Sequence, residues 1–256
     1  MKKKEYKQGQ FCWVELHTTN TKEAKNFYGE LLGWRFDERP VSDSDVYIMA
    51  SRGDNVICGM FNISKEDQHK KIPPHWNNYI SVKNADEISK KAKTLGAKVL
   101  EAPFDVMDVG RMAVLQDPTG PIFNIWQPKL HVGMTAESMD LGSFCWNECG
   151  THDVEKAATF YTKLFGWNIE SGDSYSEISL DKKHPFGGIY ALTKEMKDVP
   201  PHWICYFNVE DCKKSTDLAK KMGGIAKMEN KKIPEMGHIS VIKDAQGAVF
   251  GLFSLK

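Results

Sequence analysis

The stretch FCWVELHTTNTKEAKNFYGELLGW, residues 11–34, is the strongest indication of the architecture, because a similar stretch, FCWNECGTHDVEKAATFYTKLFGW, occurs at residues 144–167. The tetrapeptide PPHW likewise begins at residue 73 and again at residue 200. A long match followed by a second match in the same order indicates a tandem duplication. We therefore predict two homologous domains, residues 9–127 and residues 142–256, joined by a short polar connection.

Each copy repeats one order of secondary structure. Residues 11–17 have the alternating apolar pattern of a strand, and Asn20 then stands where a helix N-cap is expected, with Asp153 in its place in the second copy. Gly33 follows the helical apolar stripe as a C-terminal stop. After PPHW the order of strand, helix and three strands begins again. The sequence thus predicts an α+β protein made of four βαβββ modules.

The composition excludes several classes of partner. Lys plus Arg equals Asp plus Glu at 34 each, so no net charge attracts nucleic acid or an anionic membrane. Residues 1–10 carry four lysines but no apolar run follows them, so we expect a solvated tail and neither a signal peptide nor an anchor. None of the six cysteines forms a CxxC pair. We expect free thiols in a cytoplasmic protein.

The strand, the helix ending FYGELLGW and the DPTG turn at residues 117–120 together resemble the vicinal oxygen chelate superfamily of glyoxalase, bleomycin resistance and dioxygenase proteins. The resemblance covers nearly all of residues 10–127 and 143–254 and is strongest to two-domain members described as glyoxalase-like or as hydroxylases. It implies two open-barrel glyoxalase-like domains, each a curved sheet around a cavity. In that superfamily the cavity usually holds a divalent metal bound by His, Glu or Gln.

The resemblance also places the four ligand positions of that metal, and the residues found there do not suit a cation. In the first copy they are Trp13, the stretch 59–63, Asn77 or Asn78, and Asn124. In the second copy they are Trp146, the stretch 188–192, Ile204 or Cys205, and Gly251. Trp, Ile and Gly offer no side-chain ligand, and Asn is a weak one. We expect no metal or other cofactor, with a divalent metal on displaced ligands as the alternative.

Other polar residues on the same strand faces are candidates for chemistry. Strand alternation puts Glu15 on the face of Trp13, and puts His75 on the face of Asn77. We predict Glu15 with His75, and Glu148 with His202, as acid/base pairs. The alternative is a structural role, with the glutamate at a barrel rim and the histidine at a strand entry. The predicted ligand-binding residues are Trp13, Asn77, Arg111, Asn124, Trp146 and His238.

Three functions remain open at this point. The first is binding of a small aromatic or hydrophobic molecule in an aromatic-walled cavity, with the metal site lost. The second is a metal-dependent lyase or dioxygenase of the lactoylglutathione lyase kind, and the third is a metal-independent Glu/His acid–base enzyme. Because the fused copies supply a pseudo-two-fold pair within one chain, the protein is expected to be a monomer or a homodimer.

Overall fold

The computed structural model describes residues 5–42, 45–172 and 174–256, which form two eight-stranded mixed sheets and the helices that pack on them. The elements of the first copy are β1 (Phe11–Thr18), α1 (Thr21–Leu32), β2 (Arg35–Pro40), β3 (Val46–Arg52), β4 (Asn55–Asn62), α2 (Lys65–His69), β5 (His75–Ser81), α3 (Ala85–Thr94), β6 (Lys98–Val106), β7 (Gly110–Gln116) and β8 (Ile122–Pro128). Within the described ranges, no helix is long and apolar enough to cross a membrane.

The second copy repeats this order with one change. Its elements are β9 (Phe144–Thr151), α4 (Val154–Phe165), β10 (Asn168–Ser171), β11 (Tyr175–Ser179), β12 (Pro185–Ala191), a 3₁₀ turn (Lys194–Met196), β13 (His202–Asn208), α5 (Cys212–Lys221), β14 (Ile225–Ile233), β15 (Gly237–Lys243) and β16 (Val249–Leu255). The 3₁₀ turn stands where the first copy has the short helix α2. The four βαβββ modules predicted from the repeat are confirmed.

Each sheet is built from one copy of the repeat. The strand orders are β2-β3-β4-β1-β5-β8-β7-β6 and β10-β11-β12-β9-β13-β16-β15-β14. The first strand of every module is parallel to the last strand of that module, which pairs Glu15 with Gly59 in the first copy and Glu148 with Gly188 in the second. Parallel partners carry their side chains on one face of a sheet, so these registers define which residues share a face.

The helix boundaries follow from short polar side chains. Asn20 accepts a hydrogen bond from the Glu23 backbone amide at 3.2 Å, and Asp153 accepts one from the Lys156 amide at 3.0 Å. These caps satisfy amides that have no partner inside the helix, as predicted. Gly33 ends α1 with φ 70°, in the left-handed region that a side chain would strain.

The chain divides into two compact units, and each unit takes residues from both copies. Unit one contains the described residues up to Trp13 together with Asn78–Gly133 and Asn147–Ile204, which hold the second and third modules. Unit two contains Val14–Asn77, Met134–Trp146 and Cys205–Lys256, which hold the first and fourth modules. The domain boundaries drawn from the repeat, 9–127 and 142–256, remain predictions.

In unit two, the repeated motifs meet in a buried hydrogen-bonded chain. The Trp76 indole of the PPHW motif donates to the Tyr28 hydroxyl at 3.1 Å, and Tyr28 donates to Asp244 Oδ2 at 2.9 Å. Burial raises the pKa of Tyr28 well above its usual value, so the phenol keeps its proton and acts as the donor. The Tyr28 ring packs on Trp34, whose indole donates to the Gly142 carbonyl at 2.8 Å.

Unit one contains the equivalent chain. Trp203 donates to the Tyr161 hydroxyl at 2.9 Å, and Tyr161 donates to Asp117 Oδ2 at 2.7 Å. Desolvation raises the pKa of Asp117 above its usual value. The tyrosine of FYxxLxGW, the tryptophan of PPHW and the aspartate of the turn therefore hold each compact unit together.

The prediction of a solvated tail over residues 1–10 is only partly correct. Residues 1–4 lie outside the described residues. Gly9 is buried in unit one, where its amide donates to the Ser81 carbonyl and its carbonyl accepts from the Trp167 indole, both at 2.8 Å. The solvated-tail prediction is wrong at Gly9, because this backbone extends the edge of β1 and supplies the acceptor that a buried indole requires.

Candidate functional site

Glu15 is the centre of a polar cluster in unit two. Its Oε2 accepts from the Tyr47 hydroxyl at 2.5 Å, and its Oε1 lies 2.7 Å from His17 Nε2. Because a carboxylate can only accept, His17 Nε2 carries the hydrogen in this contact. Glu15 is only 8% exposed, so the two donors offset the cost of burying its charge. We call Glu15, His17, Tyr47, Phe61 and His75 the Glu15 cluster.

His75 joins this cluster through His17, and its tautomer follows from its other contact. The two imidazole rings lie 5.1 Å apart. His75 Nδ1 lies 2.8 Å from the Pro73 carbonyl, which can only accept, so Nδ1 carries the hydrogen. In the neutral ring, the basic lone pair is therefore on Nε2. The structure connects Glu15 and His75 by way of His17, where the sequence predicts a direct acid/base pair.

The second copy holds the equivalent Glu148 cluster, which lies in unit one. Tyr175 donates to Glu148 Oε1 at 2.9 Å, as Tyr47 does to Glu15. His202 Nδ1 donates to the Pro200 carbonyl at 2.8 Å, so its Nε2 accepts from the Tyr190 hydroxyl at 3.1 Å. Desolvation lowers the pKa of His202, which favours the neutral ring that this hydrogen bond needs.

The two clusters differ by a compensating exchange. The second copy has Gly150 where the first has His17, and it has Tyr190 where the first has Phe61. A side-chain carbon at Gly150 would lie 2.7 Å from the Tyr190 hydroxyl oxygen, so the phenol uses the space that an imidazole takes in the first copy. Each copy thus retains a polar group beside the strand-entry histidine, although the residue that supplies it has changed.

Unit one also contains an aromatic group around a buried amide, the Trp13 cluster, formed by Trp13, Tyr79, Asn124, Trp126 and His131. The Trp13 and His131 rings lie 4.5 Å apart, and the Tyr79 and Trp126 rings 6.2 Å apart. Asn124 is the parallel partner of Tyr79 and shares its face. Asn124 is 1% exposed, and its Oδ1 has no hydrogen-bond partner within the part of the chain described.

His131 belongs to the connection between the two copies. Its carbonyl accepts from the Trp126 indole at 2.9 Å, and its amide donates to the Val109 carbonyl at 3.0 Å. These bonds fix the connection against the end of β8 and bring the imidazole over Trp13. The sequence predicts only a polar linker here, so His131 is not found by pattern.

The family's metal does not fit the residues at its four positions. In the first copy, one position is the indole of Trp13, and the Tyr47 phenol lies over Gly59, where a side chain would collide with it. Tyr175 covers Gly188 and Tyr206 covers Gly251 in the same way. Asn77 and Asn124 alone supply weak amide ligands. Over the described residues, no three His, Cys, Asp or Glu side chains are grouped as they would be around a metal ion.

The other predicted site residues lie outside these clusters. Arg111 makes a bidentate ion pair with Asp86, at 2.8 and 2.9 Å, and lies 3.5 Å from Asp105. This guanidinium already has carboxylate partners, so its role as an anion receptor stays a prediction. His238 on β15 is the strand partner of Lys232 on β14. Trp146 and Asn77 are partly exposed on their strands.

Sequence reasoning missed His17, Tyr47, Tyr175 and Tyr190. His17 follows from the alternation that identifies Trp13 and Glu15, but a position next to a helix cap is also typical of a surface residue. The tyrosines lie on β3, β11 and β12. The registers β3–β4 and β11–β12 bring Tyr47 and Tyr175 to the glutamates, and Tyr190 contacts His202. A sequence pattern does not give that register.

Comparison with known proteins gives a consistent picture. A family model described as Glyoxalase/Bleomycin resistance protein/Dioxygenase superfamily matches residues 10–125. The chain is 33% identical to the protein named "Putative glyoxylase CFP32" from Mycobacterium tuberculosis (strain CDC 1551 / Oshkosh), covering 98% of this chain and 97% of that protein. It is 27% identical to "Anthracycline biosynthesis protein DauV" from Streptomyces sp. (strain C5), covering 96% and 93%.

Solved structures share the fold at low identity. The 2,3-dioxygenase LapB from Pseudomonas sp. KL28 matches with a TM-score of 0.65 at 13% identity, covering 96% of this chain and 93% of LapB. The Mn(II)-bound glyoxalase from Novosphingobium aromaticivorans matches with a TM-score of 0.66 at 13% identity, covering 97% and 83%. With the full-length relative at 33% identity, these findings show that the chain belongs to the glyoxalase/bleomycin resistance protein/dioxygenase superfamily.

Proposed function

We propose that the protein binds a small planar aromatic molecule at the Trp13 cluster, without a divalent metal. The observation that carries this proposal is Asn124, which lies on the same strand face as Tyr79 and whose buried amide oxygen has no hydrogen-bond partner in the described residues. A buried acceptor without a donor costs about 1–3 kcal/mol. A ligand hydroxyl or amine that donates to Asn124 Oδ1 recovers this free energy.

The surrounding rings favour a flat, apolar ligand body. Trp13 meets His131 edge to face, with 84° between the ring planes, and Tyr79 meets Trp126 at 86°. Such rings offer faces and edges that attract another aromatic ring, worth about 0.5–1.5 kcal/mol for each good contact. Small-molecule sites combine a mostly apolar wall with a few placed polar groups, and this cluster has both.

A relative's name suggests the first probe. DauV is named for anthracycline biosynthesis, and anthracyclines are planar aromatic compounds with phenolic hydroxyl donors. Their intrinsic fluorescence reports binding directly. We propose titration of the purified protein with doxorubicin, followed by the same titration of Asn124→Leu, which keeps the side-chain size and removes the acceptor.

The expected result is saturable quenching for the wild type and about 5–20-fold weaker binding for Asn124→Leu, the loss of one hydrogen bond. Asn26→Leu, at an exposed position on α1, is the matched control and should bind as the wild type does. Circular dichroism establishes that both variants fold. Absence of saturable binding, or wild-type affinity in Asn124→Leu, would contradict the proposal.

The Glu15 cluster supports a second candidate, metal-independent proton transfer. The specific observation is the contact of one carboxylate with a phenol at 2.5 Å and an imidazole at 2.7 Å. A pocket of about 350 Å³ in unit two shares Phe61 with this cluster and is also lined by Thr19, Asn62 and Gln68. A substrate that extended from this pocket past Phe61 would reach the carboxylate of Glu15 and the imidazole of His17, a base and a proton-exchanging partner.

The hemithioacetal of methylglyoxal and glutathione tests this candidate, because its isomerisation requires proton transfer at carbon. Activity should persist in EDTA and fall about 100-fold or more in Glu15→Gln. Glu148→Gln is the matched control, since the second copy lacks the imidazole at residue 150. Activity abolished by the chelator, or no activity in the wild type, would remove this candidate for this substrate and leave the binding proposal intact.

A further inference from the structure

The helices α1 and α4 are equivalent in the two copies, but their exposed faces carry opposite charges. Three positions are charged in both helices, and the sign of the charge is reversed at all three. The pairs, first copy before second, are Lys22 and Glu155, Glu23 and Lys156, and Glu30 and Lys163. All six side chains are exposed. On the buried face, both helices keep the phenylalanine and tyrosine of FYxxLxGW, so the reversal is confined to the surface.

These six charges are not used to hold the chain together. They form no ion pair with one another or with any other residue in 5–42, 45–172 and 174–256. Lys25, on the same helix α1, is by contrast paired with Glu38. The six exposed groups are therefore available to the surface of a partner.

The spacing of the charges matches between the two helices. Glu23 and Glu30 are seven residues apart on α1. Lys156 and Lys163 are likewise seven residues apart on α4. Seven residues are about two helical turns, or about 10.5 Å, so each pair projects from one side of its helix. When α1 lies along α4, in either direction, each glutamate meets a lysine.

The charged face of α4 also borders a recess. In unit one, a groove of about 460 Å³ is lined by the apolar side chains of Leu95, Pro118 and Phe160. Lys156 and Lys163 line the same groove. Side chains that project from one helix pack into grooves of this kind on another, so the groove offers a second helix apolar contact beside the charges.

We propose that α4 of one copy of this chain binds α1 of a second copy. The same charges oppose the pairing of like helices, since α1 against α1 would bring glutamates together and α4 against α4 would bring lysines together. The 34 basic and 34 acidic residues of the chain balance, so no net charge opposes the approach of two copies. Exposed ion pairs are individually weak, so the association depends on concentration and is sensitive to salt.

Sedimentation velocity of the wild-type protein over a range of concentrations gives the first test. In about 50 mM NaCl the average mass should exceed that of one chain and rise with concentration, and in about 500 mM NaCl the Kd should be about 10-fold higher or more, because salt screens the ion pairs. The mass of a single chain at every concentration in low salt would overturn the proposal, as would a Kd that does not respond to salt.

Charge-reversal variants test which surfaces are in contact. Lys156→Glu combined with Lys163→Glu makes α4 repel α1, so this variant should stay a single chain where the wild type associates. Glu23→Lys combined with Glu30→Lys should have the same effect from the other helix. A variant with all four substitutions exchanges the charges of the two helices and keeps the wild-type net charge, so it should associate again.

The control has the same net charge as the α4 variant. Lys183→Glu combined with Lys197→Glu changes exposed lysines of unit one that lie outside α4, and it should associate as the wild type does. Circular dichroism establishes that every variant folds, as expected for exposed positions. Association that persists unchanged in either reversed pair, or that the fourfold variant does not regain, would contradict a contact between α1 and α4.

Discussion

Removal of the Tyr28 hydroxyl tests the buried chain that links the repeated motifs in unit two. In Tyr28→Phe the ring stays, so packing against Trp34 and Trp76 is preserved. Two hydrogen bonds are lost, the 2.9 Å bond to Asp244 Oδ2 and the 3.1 Å bond from the Trp76 indole. Asp244 Oδ1 keeps three backbone donors, from residues 246, 247 and 248, so the damage falls on Oδ2 and on the indole.

The magnitude follows from burial. Tyr28 is 0% exposed and Asp244 is 4% exposed, so water does not replace the missing hydroxyl. A hydrogen bond to a charged group is worth about 1.5–3 kcal/mol, and a buried indole left without its acceptor costs about 1–3 kcal/mol. We expect Tyr28→Phe to lower the free energy of unfolding by about 3–5 kcal/mol, which is a fall in Tm on the order of 10 °C for a chain of this size.

Urea unfolding followed by tryptophan fluorescence measures this loss, and a double-mutant cycle with Asp244→Asn isolates the Tyr28–Asp244 contact. The coupling free energy should be about 1.5 kcal/mol or more. A loss below about 1 kcal/mol with no coupling would refute the reasoning, because it would mean that the hydroxyl finds other partners or that the motif is retained for a different reason.

Three other perturbations follow from the structure. Burial raises the pKa of Asp117, so the folded state binds this proton more tightly than the unfolded chain does. The free energy of unfolding should therefore fall as the pH rises from about 4 through the raised pKa, and urea midpoints across this range should show that slope in the wild type. A slope that persists in Asp117→Asn would exclude this carboxyl as its source. Gly59→Ala places a methyl group against the Tyr47 phenol, so it should displace Tyr47 from Glu15 and lower the free energy of unfolding by about 1–3 kcal/mol, measured by thermal unfolding. An unchanged Tm would show that residue 59 and the Tyr47 ring are not in contact. Burial raises the pKa of all six thiols, so Ellman's reagent should label the native protein far more slowly than the urea-unfolded chain. Rapid native labelling would contradict the burial of Cys12, Cys58, Cys149, Cys205 and Cys212 and the partial burial of Cys145.

Most of the fold could be predicted from the sequence, because the residues that begin and end its helices act locally. Asn20 and Gly33 mark the two ends of α1 by their own capping chemistry, and the repeat transfers the same boundaries to α4. The length of β6 is not marked by such local signals, because this strand continues through two irregularities in its register to Val106. Such bulges are set by the neighbouring strand and leave little trace in a single segment.

The candidate site could be predicted from the sequence only where its residues lie on a single strand. Alternation along β1 and β9 finds Glu15 and Glu148, but their phenol partners are on other strands. Tyr47 reaches Glu15 because β3 pairs with β4, and β4 pairs with β1. The sequence also could not predict which modules combine in each compact unit, since any two of the four similar modules satisfy the same apolar pattern.

Because each compact unit combines modules from both copies, the structure bears on the origin of the duplicated gene. The aromatic face of α1 and the PPHW tryptophan in the first copy are covered by Phe207 and Phe250, which are encoded in the second copy. A polypeptide ending after the first copy would expose that aromatic face to solvent. Two such polypeptides would have to exchange modules to bury it. An unfused ancestor is therefore expected to have been an obligate swapped dimer, and fusion replaced a concentration-dependent encounter with a permanent tether.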